Sequence, residues 1–116
     1  MGHGLLSASV AGSIFASPCS AQILAAIEGK VDIRSGILIT VMNYTGDVLN
    51  FGVAVEKAMA RNPGLEIETL VVSDDVGVPR SKGRRVGRRG LAGTVLVHKS
   101  PARLRRWATR YRMWQR

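Results

Sequence analysis

Ile37-Leu38-Ile39-Thr40-Val41-Met42, opened by Gly36 and followed at once by Asn43-Tyr44-Thr45-Gly46-Asp47, decides the fold. The apolar, β-branched run is too short for a helix and shows no polar alternation, so it reads as a strand buried on both faces. Beyond Asp47 a helical pattern gathers Leu49, Val53, Val55 and Met59 on one side. Asn62-Pro63-Gly64 should stop that helix, because proline cannot continue it and glycine tolerates a left-handed cap. Leu65 to Val72 alternates first and ends fully apolar, which is a second strand. Strand, helix, strand predicts a right-handed parallel crossover in an α/β sheet.

Upstream, Pro18 fits the start of a helix through about Ile27, with Ile23, Leu24 and Ile27 on one face and Gly29 as its end. Downstream, Asp74 to Arg89 is rich in Gly, Pro, Lys and Arg, and is expected to be a long loop. The run Leu91 to Lys99 fits helix or strand equally by pattern. No internal repeat is visible.

The chain has 116 residues, 46% of them hydrophobic and 22% charged, which is enough for one globular domain and excludes a disordered chain. A net charge of +9 suggests a polyanion partner, but its distribution argues otherwise. Residues 1–99 carry eleven Lys and Arg against all eight acids, and six arginines lie in 100–116. The single cysteine, Cys19, makes an internal disulfide impossible and offers no zinc site, which points weakly to a reducing compartment. No apolar stretch approaches the roughly 18 residues of a membrane span. Leu5 to Ala16 imitates the apolar part of a secretory signal but lacks the positive segment before it.

In an open α/β sheet, ligands collect beyond the carboxyl ends of the strands. Asn43 to Asp47 holds that place for the first strand. Asp47 has two readings there, accepting hydrogen bonds from substrate hydroxyls or capping the helix that follows. Asp74-Asp75 follows the second strand, where adjacent acids are more often a turn than a metal site. The basic loop from Pro79 to Gly90 has the composition of a phosphate cradle without the P-loop spacing, and a solvated surface loop is the plainer reading. His3 and His98 lack visible catalytic partners and read as structural.

Three segments together carry more than any one residue. Gly4 to Pro18, Asn43-Tyr44-Thr45-Gly46-Asp47-Val48-Leu49-Asn50-Phe51-Gly52 and Gly87 to Lys99 closely resemble, in order and spacing, the substrate-binding domain of dihydroxyacetone (glycerone) kinases, of the ATP-using single-chain type. The resemblance covers residues 2–99 and implies an incomplete α/β domain of that family. It further implies a ketose held covalently on a histidine, with hydrogen bonds from a Gly-Ser-Gly-His motif, a lysine and an aspartate. The aspartate maps onto Asp47, and the lysine position holds Met42. Neither histidine has a counterpart here, so the resemblance assigns this chain no catalytic residue. ATP and magnesium would come with a separate helical domain of the parent, a cytoplasmic enzyme expected to be a homodimer, and this piece would bind neither.

After Lys99 the family pattern breaks. The codons ATC GCC GGC GCG, which encode a family-like Ile-Ala-Gly-Ala, give Ser-Pro-Ala-Arg when read one base late, and Ser100-Pro101-Ala102-Arg103 follows here. The expected organisation is therefore a partial dihydroxyacetone-binding domain over 1–99 and an out-of-frame basic tail over 100–116. Two other readings remain. One is a nucleic-acid-binding module using Arg80 to Arg89 with Trp107, Tyr111 and Trp114 as stacking surfaces. The other is an inert fragment whose exposed strand edges favour self-association.

Overall fold

The computed structural model describes residues 6–30, 36–79 and 87–100. Helix α1 spans Ser20–Lys30, strand β1 Ile37–Met42, helix α2 Thr45–Arg61, strand β2 Ile67–Val72 and helix α3 Gly93–His98. β1 and β2 pair in parallel from Ile37 opposite Ile67 to Met42 opposite Val72, so the strand-helix-strand unit is an α/β one. The ambiguous run after Gly90 resolves as helix.

α1 begins where Gln22 reaches back, its Oε1 accepting the Cys19 N–H at 3.0 Å. That is one half of a capping box. Ile23, Leu24 and Ile27 are buried as their spacing requires. The helix does not stop at Gly29. It runs through to Lys30, because a glycine facing open space costs only propensity, about 1 kcal/mol. α2 does stop where expected. The N–H of Asn62 bonds the carbonyl of Ala58, and Gly64 takes a φ of +93, a conformation that other residues adopt only with strain.

The core is a sandwich of α1, α2 and one face of the strands: Ile23, Leu24, Ile27, Ile39, Ala54, Ala58 and Leu65, with Ile37, Phe51, Val55 and Ile67 packed against it. Two expectations are corrected here. The inward line of α2 is Phe51, Ala54 and Ala58, while Leu49, Val53 and Met59 are exposed. Alanines let α1 and the sheet approach the helix backbone closely, which larger side chains on that line would prevent. Nor is β1 buried on both faces. Ile39 and Val41 are buried, whereas Leu38 and Thr40 are half-buried and Met42 is exposed, because the core of α1 and α2 packs against the face that carries Ile37, Ile39 and Ile67.

Candidate functional site

At the carboxyl ends of the strands, four segments meet. The N-terminal loop arrives through Ser17 and Pro18. The carbonyl of Pro18 accepts the Asn50 Nδ2–H at 2.9 Å, and the Ser17 hydroxyl lies 2.6 Å from where a Cβ on Gly46 would sit. The second segment is the turn from β1 into α2, the third leaves β2 at Ser73, and the fourth is residues 87–93. This last segment acts as a strap across both strand ends.

Directional bonds hold the strap. Asn43 Nδ2 donates to the carbonyl of Arg88, and the Asp75 N–H to the carbonyl of Arg89 at 3.1 Å. Arg88 Nε donates to the carbonyl of Val78 at 2.8 Å. Gly90 lies so close to the strand ends that a Cβ there would fall 2.8 Å from both Met42 Cβ and the Val72 carbonyl oxygen. No side chain fits between them, which explains a glycine at this point.

Asp74 anchors the far end of the strap. Its carboxylate accepts the N–H of Leu91 at 2.6 Å and that of Gly93 at 2.7 Å. The Leu91 bond is the largest cause holding this carboxyl below its ordinary value; partial desolvation opposes it, and the Gly93 N–H and its own backbone add to the lowering. Asp75 Oδ1 accepts the Gly77 N–H at 3.0 Å. Asp75 thus sits in a local turn, as expected of adjacent acids after a strand, whereas Asp74 departs from that expectation and is engaged by amides far along the chain.

Asp47 does not cap α2. The capping position is Tyr44, without a side-chain cap bond, and Asp47 lies in the first turn. It precedes Phe51, Ala54 and Ala58 by four, seven and eleven residues, so it extends the inward line of the helix to the sheet's carboxyl edge. It is half-buried. Among the described residues its carboxylate has neither a hydrogen bond nor an ion pair. Met42 ends β1 beside the strap, its apolar side chain 38% exposed. One guanidinium also reaches this turn: Arg89 Nη1 donates to Thr45 Oγ1 at 3.3 Å.

His98 ends α3, its Nε2 buried without a partner among the described residues, as is the hydroxyl of Thr94 one turn earlier. His3, residues 80–86 of the basic loop and the tail from 101 lie outside the described residues. The roles of Asp74 and Arg89 were not legible locally, since their partners lie 17 to 44 residues away.

The Dak1 domain family matches residues 1–106. The chain belongs to the Dak1 domain family. This Dak1 segment is similar to the dihydroxyacetone kinase of Komagataella pastoris, 59% identical over 96 residues, which are 83% of this chain and 15% of the relative. Dihydroxyacetone kinase 1 of Saccharomyces cerevisiae is 54% identical over 85% of this chain and 17% of its own length. The chain therefore spans only about a sixth of the curated relatives it matches. Its fold is similar to that of the Citrobacter freundii dihydroxyacetone kinase solved with AMP-PNP and Mg2+, at a TM-score of 0.73 and 46% identity, covering 84% of this chain and 17% of that one. A dihydroxyacetone kinase operon co-activator also matches, at a TM-score of 0.70 and 33% identity over 83% of this chain and 28% of that one.

Among the described residues no helix is long and apolar enough to cross a membrane, and no group of three or more His, Cys, Asp or Glu side chains could hold a metal ion.

Proposed function

We propose that this Dak1 segment is one wall of the triose pocket of a dihydroxyacetone kinase whose complete form transfers the γ-phosphoryl group of ATP to dihydroxyacetone. The observation that carries this reading is Asp47: a half-buried carboxylate at the carboxyl edge of a parallel sheet, on the inward line of α2, with no partner among the described residues. Such a group accepts a hydrogen bond from a substrate hydroxyl and, in the transfer, the proton of the attacking oxygen. Phosphoryl transfer depends mostly on positioning and charge neutralisation. Asp47 supplies positioning; ATP and magnesium would bind a helical domain elsewhere in the parent, a cytoplasmic homodimer in this reading. Met42 puts a thioether where the family resemblance places a lysine, so the pocket lacks one charged donor. Alone, the segment should not turn over substrate.

Residues 1–99 are the domain piece in this reading, and 100–116 an out-of-frame translation of a family-like helix, from a sequencing error, a missed intron or a pseudogene. Sequencing the coding DNA tests the second part: it fails if no neighbouring frame encodes that helix. No observation among the described residues favours a nucleic-acid module.

Residues 1–99 exchanged for the matching stretch of the Komagataella pastoris kinase test the first part. Asp47→Asn in that chimera should lower kcat/KM by about a hundredfold or more, and Met42→Lys should lower KM. An Asp47→Asn chimera as active as its parent chimera would refute the reading.

A further inference from the structure

We propose that Arg89 is a second ligand-contacting residue of this site, binding the phosphate of a phosphorylated triose while Asp47 takes its hydroxyl. This rests on the triose reading of Asp47 and adds the recognition of an anionic group.

The backbone of Arg89 is fixed on two sides. Its carbonyl accepts the Asp75 N–H, and its neighbour Gly90 is wedged against Met42 and Asn43. Its side chain therefore leaves from a defined point and reaches the first turn of α2, where Nη1 meets Thr45 Oγ1 at 3.3 Å. A guanidinium has five N–H donors in a planar fork that suits phosphate. One is used, and that bond still leaves the fork at the mouth of the turn.

No carboxylate neutralises this cation among the described residues. Asp74 is taken by the amides of Leu91 and Gly93, and Asp75 by that of Gly77. Asp47 is two residues from Thr45 on the same turn, yet it makes no ion pair with Arg89. An unneutralised guanidinium and an unpartnered carboxylate flank one helical turn, both half-buried. A molecule carrying an anion at one end and a hydroxyl at the other satisfies both, and the α2 N-terminus adds favourable potential for the anion. A neutral triose would need Asp47 alone.

The test is an NMR titration of the 116-residue chain with dihydroxyacetone phosphate, dihydroxyacetone and inorganic phosphate, folding being checked by circular dichroism. Arg89→Gln should weaken the triose phosphate about tenfold, the scale of one charge-assisted hydrogen bond, and leave the neutral triose unchanged. Arg89→Lys, which keeps the charge without the fork, should fall between, and it carries the test if the Gln variant does not fold. Asp47→Asn should weaken both trioses and spare inorganic phosphate.

Equal affinity of wild type and both Arg89 variants for the triose phosphate overturns the inference, as does a chain that does not bind it. If the neutral triose still binds through Asp47 in that case, the triose reading survives alone. If inorganic phosphate binds through Arg89 while Asp47→Asn changes nothing, the Arg89 anion contact stands and the triose reading falls.

Discussion

The helix-packed side of the sheet and the strap across its carboxyl ends are held by different physics. On the first, Ile23, Ala54 and Ala58 are at most 1% exposed, and cohesion comes from apolar area and close fit. On the second, residues 87–93 bury little besides Gly90 and are tied by Asn43, Asp74, Asp75 and Arg89 through hydrogen bonds of fixed direction. The packed side depends on volume and is indifferent to pH. The strap depends on individual atoms and their charge, which suits the edge where a ligand must be met by placed polar groups.

The largest expected effect is in the core. Ile23→Ala removes its most buried large side chain and should destabilise the chain by about 2–5 kcal/mol, measured by urea unfolding and without pH dependence between 5 and 8, roughly the range over which core burial carries no titrating group. A loss under about 1 kcal/mol would mean that close packing does not set this region apart from the strap.

A local effect comes next. Asp74→Asn should release the Leu91 and Gly93 amides, seen as faster hydrogen exchange at those two positions while the Ile23 and Ala54 amides stay protected. The pH dependence has a definite sign. Because the folded carboxyl of Asp74 is lowered from its ordinary value, its contribution is fully present above the unfolded value of about 3.9. It is lost as pH falls through the lower folded value. The wild-type strap should therefore loosen on strong acidification, and the Asn variant should lack that transition. Amides that exchange alike in both proteins at every pH would show that Asp74 does not hold the strap.

The smallest effect lies outside both regions. Arg61 and Glu28 join α2 to α1 at 3.2 Å, with side chains 60% and 37% exposed. Such exposed pairs contribute about 0.2–1 kcal/mol and are screened by salt, so Arg61→Ala should shift the unfolding midpoint slightly at low ionic strength and not at all at high. A salt-independent loss would signal packing by the arginine stem instead.

Much of this was legible in the chain before any coordinates. The strand Ile37–Met42, the turn after it, the stop at Asn62-Pro63-Gly64 and the second strand are local signals, written in periodicity and in the residues that interrupt it. The family resemblance was legible for the same reason, since it rests on three contiguous segments. The helix face was misread, because Leu49, Val53 and Met59 are the more apolar residues, whereas close approach favoured the smaller Ala54 and Ala58. Local pattern leaves Asp47 open between capping and substrate binding; its place inside the first turn, with Tyr44 at the capping position, removes the cap.

By itself, then, the sequence determined the order of elements as far as Val72 and the place of Asp47 after a strand, because both depend on neighbours within a few residues. Only the tertiary structure decided that Asp47 lacks a partner among the described residues, that Asp74 anchors the strap and that Arg89 meets Thr45. The last two depend on groups 17 to 44 residues apart along the chain, brought together by packing that no local pattern encodes.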